Sequence, residues 1–229
     1  MIVLGIETAT SVGSVAIISE GKLIGEFTVN LGLIHSETLL PLIDQLLKMV
    51  RIKFSQVDGL AVSTGPGSFT GLRVGISTVK GLALAGRKPV VGISTLDALA
   101  YNFSWFEGLI CPMLDAKKKE VYTAGYRWNL SSFQLNRVTP YLAVSPEKFI
   151  ENIKEKVVFG GEGSQIYECL IKERLGKNAY FASPPLKYPR AATIAWLGCE
   201  EIKRGKVVDI HKLNPIYIRP SEAELKKET

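Results

Sequence analysis

The sequence predicts an α/β protein of two lobes, and three observations carry the prediction. Before Asn102, three short β-rich runs are followed by alternating helix and strand patterns. Near Asn102-Phe103-Ser104 the pattern changes and a second set of strands and helices begins. The chain has 229 residues, of which 46% are hydrophobic and 22% charged, enough for one large core or two small ones.

The elements follow in order. Ile2 to Glu7 and Ser14 to Ser19 are apolar and β-rich, with Thr10-Ser11-Val12-Gly13 as the turn between them. Glu20-Gly21-Lys22 turns the chain into a third strand, Leu23 to Asn30, so the three read as an antiparallel meander. Leu39, Leu42, Ile43, Leu46, Leu47 and Val50 then make a 3.6-residue stripe, with Leu40 widening it. Ser36 is the expected N-cap of that helix, and Pro41 is expected near its start, where a missing N–H costs least. Next come a strand from Val57 to Val62, a glycine-rich turn and a helix from Leu72 to Ala85. A strand from Pro89 to Ile93 leads to a helix from about Thr95 to Phe103, capped by Ser94. The order βββαβαβα is that of the ribonuclease-H-like, actin-like (ASKHA) domain, a meander extended by parallel strands with crossover helices.

The second set begins with strands Leu109 to Leu114 and Glu120 to Trp128, joined by Asp115-Ala116-Lys117-Lys118-Lys119. Pro146 to Lys156 reads as a helix, Val157-Val158-Phe159 as a short buried strand, and Ile166 to Leu175 and Ala192 to Lys203 as helices. The expected division is residues 1–103 as the first lobe, joined by the returning segment 191–229, and residues 104–190 as a smaller second lobe. Asn214 to Arg219 is expected to add a strand or an irregular edge, and Ser221 to Thr229 to fray. No sequence repeat of 20–50 residues is visible.

The most specific run is Ser63-Thr64-Gly65-Pro66-Gly67-Ser68-Phe69-Thr70-Gly71-Leu72-Arg73-Val74-Gly75. A glycine-rich strand-to-helix turn lets backbone approach another element or a phosphate closely. This one is neither a P-loop, because no lysine stands at the required offset, nor a dinucleotide fingerprint, because Thr70 occupies the third glycine position.

Met1 to Thr8 carries Glu7 and no basic region, so it reads as a buried strand and not a signal peptide. No apolar run approaches the ~18 residues of a membrane helix. Cys111, Cys169 and Cys199 are far apart and without metal-ligand spacing, which fits a reducing, cytoplasmic setting. The net charge of +6 permits nucleic-acid contact without demanding it. The short clusters Lys117-Lys119 and Lys226-Lys227 read first as solvated faces, and no aromatic-interleaved basic motif is present.

Catalytic patterns are sparse. His35 and His211 lie in no metal pattern and are expected at the surface or at a helix cap. Ser68 and Thr70 have no base beside them and read as capping residues. Glu7 and Asp115 end strands where an actin-like phosphotransferase keeps carboxylates for Mg²⁺, but Glu7-Thr8-Ala9-Thr10 lacks the Asp-x-Gly such a turn needs. Gly160-Gly161-Glu162-Gly163-Ser164 could offer N–H groups to a nucleotide or be a plain tight turn.

The glycine-bearing helix is more telling. Gly71, Gly75, Thr78 and Ala85 fall near one face, with Gly81 nearby. A glycine inside a helix costs about 1 kcal/mol against alanine, so several imply close approach of another backbone. That backbone is either the chain's own sheet or a partner helix, with the leucine-rich first helix as companion in the patch.

Together, Leu4-Gly5-Ile6-Glu7-Thr8-Ala9-Thr10, His35-Ser36-Glu37 with Leu40-Pro41, Gly65 to Gly75, Gly92-Ile93-Ser94-Thr95-Leu96, Asp115-Ala116 with Glu120-Val121-Tyr122, and Pro215-Ile216-Tyr217-Ile218-Arg219 resemble the bacterial TsaB (YeaZ) family. The resemblance implies two actin-like lobes and a place in the machinery that makes N6-threonylcarbamoyladenosine at position 37 of tRNAs reading codons that begin with A. It implies a non-catalytic subunit that pairs with the catalytic subunit TsaD through helices of the first lobe and is joined by the ATPase TsaE. ATP or ADP and the metal then belong to the partner subunits, and this chain has no cofactor of its own. In TsaD-like proteins a His-x-x-x-His pair follows the fifth strand and holds the metal. Here Thr95 and Leu99 stand at those positions, and neither can ligate.

On this resemblance the partner-binding residues are Ser36, Leu39, Leu40, Ile43, Leu47, Phe69, Leu72, Gly75 and Ile76. A bulky residue at Gly75 is expected to abolish pairing while the isolated chain stays folded. Without TsaD the same helices could make a symmetric homodimer. Contact with tRNA is expected through the complex, and no membrane association is expected. Rival readings are an actin-like nucleotide-dependent phosphotransferase using Glu7, Asp115 and the Gly160 turn, a glycoprotease-like peptidase, and a direct tRNA binder.

Overall fold

In a computed structural model of the chain, the described residues are 1–30 and 35–218. They form two compact units, Met1–Ala98 with Pro189–Pro215, and Leu99–Tyr188 with residues 216–218 of the described tail.

The first unit is a five-stranded sheet covered on both faces. Strands β1 (Ile2–Glu7), β2 (Val12–Ser19) and β3 (Lys22–Asn30) form the antiparallel meander, and β4 (Gly59–Gly65) and β5 (Val90–Ser94) run parallel to β1. The strand order is β3-β2-β1-β4-β5. Helices α1 (His35–Met49) and α2 (Phe69–Gly86) cover one face, where Leu4, Ile6, Val15 and Ile17 meet Leu39, Ile43, Leu46, Ile76, Val79 and Ala83. Val3, Ala61, Val91 and Ile93 point the other way, onto Ile194, Ala195 and Cys199 of a returning helix, Ala191–Lys203. The alternation within β1, Val3 one way and Leu4 the other, is the period-two rule with both faces buried. A short helix, α3 (Thr95–Ala100), follows β5 with Ser94 accepting from the Asp97 amide at 3.4 Å, and a 3₁₀ turn, Tyr101–Phe103, continues it.

Several boundaries differ from the sequence expectation. The helix α1 begins at His35, so Ser36 lies inside its first turn and is not the N-cap. Pro41 falls at the exposed seventh residue, where its ring removes the bond to the Glu37 carbonyl. The strand expected at Val57 starts at Gly59 and runs on to Gly65, because the Val57 amide closes the preceding 3₁₀ turn, Phe54–Gln56, on the Phe54 carbonyl at 3.1 Å. Ser68 caps α2 as expected, accepting from the Gly71 amide at 3.2 Å.

The second unit repeats the strand order of the first. Its strands are β6 (Leu109–Lys117), β7 (Glu120–Thr123), β8 (Tyr126–Asn129), β9 (Gln134–Arg137), β10 (Leu142–Val144), β11 (Val157–Gly160) and β12 (Ala179–Phe181). The main path is β10-β7-β6-β11-β12, with the first two neighbours antiparallel and the last two parallel, matching β3-β2-β1-β4-β5 pair for pair. The sequences of the two sets share no visible pattern, so this duplication lies in topology alone.

The single strand expected from Glu120 to Trp128 is interrupted at Ala124-Gly125. Met113–Thr123 and Ile110–Tyr126 belong to one register along β6, but on the outer side β10 and β9 are offset by two residues. Gly125 absorbs the offset, taking Thr139 Oγ1 with its amide at 2.8 Å and the Val138 amide with its carbonyl at 2.8 Å. The helix α4 (Pro146–Ile150) stops before Lys156, because Ile153 folds back to bond Ile150 and the chain enters β11. The expected helix at Ile166 begins earlier and breaks at Tyr167 into α5 (Glu162–Ile166) and α6 (Glu168–Leu175). The returning helix is α7 (Ala191–Lys203). Asn214 to Ile218 form no strand, and Arg219 and the Ser221 to Thr229 tail lie outside the described residues.

Candidate functional site

The turn that ends β1 is the hub of the α1–α2 face. Thr8 Oγ1 donates to the Gly71 carbonyl at 2.8 Å, and the Ser68 amide donates to the Ala9 carbonyl at 2.7 Å, so α2 is fastened at its N-cap and first turn. The ring of His35 donates through Nε2 to the Thr10 carbonyl at 2.8 Å and fastens α1. His35 is therefore buried, 6% exposed, and not the surface or capping residue the sequence suggested. His211 is exposed.

The in-helix glycines divide into two kinds. A Cβ on Gly71 would overlap the Thr8 carbonyl oxygen, and one on Gly75 would overlap Thr8 Oγ1. These two let α2 lie against its own β1 turn, so the expectation of a partner-facing Gly75 is corrected. A bulky residue there strikes Thr8 before it reaches any partner. Gly81 is the other kind: it is exposed, and a Cβ there would meet no atom within 4 Å. Nothing in the chain's own packing calls for a glycine at that position.

The nine residues expected at the partner surface divide the same way. Leu39, Ile43, Leu72, Gly75 and Ile76 are buried beneath α1 and α2, because the stripe that reads as a contact face is the stripe that packs on the sheet. Ser36, Leu40 and Phe69 face outward, with Leu40 55% and Phe69 41% exposed, and Leu47 is half-buried. The outer side of α2 adds Arg73, Ser77, Gly81 and Leu84, of which Leu84 is 62% exposed. The Arg73 guanidinium lies 3.7 Å over the centroid of the Phe69 ring, a cation–π contact. The outward side carries small residues at four-residue spacing, Ser77, Gly81 and Ala85, opposite the larger apolar stripe.

Glu7 sits within the hub and is fully buried. Its Oε1 accepts from the Ala9 amide at 2.5 Å, and its Oε2 has no hydrogen-bond partner. Burial pushes its carboxyl up to about 7, against the bonds from Ala9, Ser63 and Thr8 that favour the charge. Asp115, the other candidate carboxylate, is taken up by Lys117, whose amide and Nζ reach it at 2.8 and 2.7 Å. The Gly160 turn is a packing device as well: Gly161, at φ +97°, lies against the Met113 carbonyl, and Ser164 Oγ donates to the Gly161 carbonyl at 2.7 Å. Among the described residues no group of three or more His, Cys, Asp or Glu side chains could hold a metal ion. No helix among them is long and apolar enough to cross a membrane.

Comparison with known proteins places this arrangement. A family model for TsaD, tRNA N6-adenosine threonylcarbamoyltransferase, matches residues 33–227. The tRNA threonylcarbamoyladenosine biosynthesis protein TsaB of Bacillus subtilis is 32% identical over 99% of this chain and 97% of its own length. The chain belongs to the TsaB family. The solved structure of YeaZ from Pseudomonas aeruginosa superposes with a TM-score of 0.80 at 27% identity, covering 95% of this chain and 99% of that one. The component A of (R)-2-hydroxyglutaryl-CoA dehydratase from Acidaminococcus fermentans shares the fold alone, with a TM-score of 0.52 at 14% identity over 89% of this chain and 99% of that one. In this TsaB-family chain the positions Thr95 and Leu99 both lie on α3 and are fully buried.

Proposed function

We propose that the chain is a non-catalytic scaffold subunit of the assembly that installs threonylcarbamoyl on N6 of adenosine 37 in tRNAs reading A-starting codons. In this reading it pairs with the catalytic subunit TsaD and recruits the ATPase TsaE. The nucleotide and metal of the reaction belong to those partners. The pairing surface is the outer side of α1 and α2, with Ser36, Leu40, Leu47 and Phe69 kept from the sequence-based set and Arg73, Ser77, Gly81 and Leu84 added. Leu39, Ile43, Leu72, Gly75 and Ile76 shape that surface from beneath.

The observation that carries the reading is Gly81. A glycine in the interior of an 18-residue helix, open to solvent and three positions before exposed Leu84, gives up helix stability with no return inside the chain. Close approach of a partner helix supplies the reason. The substitution of Thr95 and Leu99 at the metal-ligand positions of TsaD-like proteins supports a subunit that keeps the fold without the chemistry.

The test is size-exclusion chromatography with light scattering on the chain alone and mixed with TsaD from the same source. A one-to-one species that Gly81→Trp and Leu84→Arg each disrupt, with both variants folded, is the expected result. A tight homodimer that ignores TsaD would overturn it.

A further inference from the structure

The second unit carries an arrangement that the helix-pair surface does not use. Trp105 is 68% exposed, Tyr180 is 43% exposed, and between them Phe106 is buried and meets both rings edge-on, with centroids 5.9 and 5.4 Å away. Trp105 is held in place: its Nε1 donates to the Asn102 carbonyl at 3.2 Å. Asn102 in turn donates to the carbonyls of Leu186 and Tyr188 at 3.0 and 2.9 Å. An exposed indole tethered in this way has little conformational freedom left to lose on binding.

The fold brings lysines to the same edge. Trp105 and Phe106 lead into β6, Lys154 and Lys156 into β11, and Lys177 into β12, and these three strands are parallel neighbours. The Leu109 amide bonds the Lys156 carbonyl at 3.0 Å, and Gly108 lies between that carbonyl and the Phe106 ring. Lys154, Lys156 and Lys177 are all exposed. Of the acidic residues in these segments, Glu155 is paired with Arg127 at 2.5 Å, and Glu107 stands exposed beside Phe106. The sequence alone shows no such motif because its parts are separated by some 70 residues of chain.

We propose that this edge, Trp105 and Tyr180 with Lys154, Lys156 and Lys177, is a contact site for unpaired bases and phosphates of an RNA loop. Flat apolar rings interleaved with lysines match the chemistry of single-stranded nucleic acid, in which bases stack and phosphates need cations. A protein docking face favours arginine over lysine among its charges. The proposal rests on the tRNA reading for its choice of probe.

The experiment titrates the full chain, alone and mixed with TsaD, with an unmodified tRNA transcript reading an A-starting codon. Tryptophan fluorescence and anisotropy of labelled tRNA are followed at several salt concentrations. Stacking on Trp105 should quench its emission, and Trp105→Ala should weaken binding roughly tenfold. The triple Lys→Gln variant at 154, 156 and 177 should lower the slope of log affinity against log salt by about 2. Trp105→Phe, which keeps a ring, should bind more tightly than Trp105→Ala. Affinity and slope unchanged in variants that melt like the parent would overturn the proposal. So would no binding of tRNA by the chain in either state, or Trp105→Ala that loses TsaD and keeps tRNA, which would make the edge a protein contact. Failure of the chain to pair with TsaD bears on the scaffold reading alone, since the titration of the isolated chain still decides this one.

Discussion

The hydroxyl of Thr8 donates to the carbonyl of Gly71 at 2.8 Å, a bond that spans 63 positions of sequence and fixes the start of α2 on the end of β1. Gly75 lies one helical turn further along the same line and packs on the same hydroxyl. The glycines at 71 and 75 are thus the counterpart of Thr8, and the outward surface of α2 is set by an inward contact.

From this follows a contrast between two glycines of one helix. Gly75→Ala places a methyl group into Thr8 Oγ1 and should destabilise the isolated chain by about 1–3 kcal/mol. Gly81→Ala meets open space and should stabilise it by up to about 1 kcal/mol through helix propensity. Thermal denaturation of the two variants, side by side, checks both signs.

Glu7 makes stability depend on pH in a stated direction. Burial raises its folded pKa from 4.5 to about 7, so between these values the folded state holds a proton that the unfolded state has released. Stability contributed by the neutral form is complete below about pH 4.5, falls as pH rises toward 7 and stays low above it. Glu7→Gln keeps an acceptor for the Ala9 amide without the charge. It should flatten that slope and raise stability at pH 8 by on the order of 2 kcal/mol relative to the parent. Urea unfolding at pH 5 and pH 8 measures it; an unchanged slope would mean the carboxylate is solvated.

Glu26 of β3 acts as a remote cap. Its Oε1 accepts from the Ala192 amide at 3.0 Å and its Oε2 pairs with the Arg190 guanidinium, at the start of α7. Ser14 of β2 accepts from the neighbouring Ala191 amide at 2.9 Å. Glu26→Ala removes the helix-terminal charge and leaves Arg190 unpaired, and should cost about 2 kcal/mol. Glu26→Gln should recover part of it. Denaturant midpoints of the two variants test the order.

The β6–β7 turn is strained by its own residues. Lys117, Lys118 and Lys119 all have positive φ, at 61°, 53° and 62°, and Lys117 pairs with Glu120 across the turn. Positive φ at both central positions is the type I′ geometry that Asn-Gly adopts without penalty. The double variant Lys118→Asn, Lys119→Gly should raise the melting temperature by several degrees, equivalent to about 1 kcal/mol. A fall would show that the lysine side chains contribute more than the backbone loses.

What the sequence made legible was what short-range periodicity carries. The meander, the stripes of α1 and α2 and the Ser68 cap all follow from residues within a few positions of one another. Three things were not legible. The α7 start looks uncapped locally, because its acceptors sit on β2 and β3. The break at Gly125 answers an offset between strands on its far side. Five of the nine residues that read as partner-binding, Leu39, Ile43, Leu72, Gly75 and Ile76, are buried instead, because a contact stripe and a core stripe share one period, and only tertiary packing tells which is which.

The two units share a strand order but not the helix that follows the fourth strand of each path. After β4 that helix runs unbroken for 18 residues, whereas after β11 it breaks at Tyr167 into pieces of 5 and 8. Among the described residues, only the first half of the duplicated plan therefore offers a long unbroken helix at this place, and the pairing proposed above would engage it once. A pairing of two like surfaces closes on itself, with no second end from which a polymer could grow. The scattering mass of any assembly built on this surface should level off at a single pairing as concentration rises, where a filament former would keep climbing.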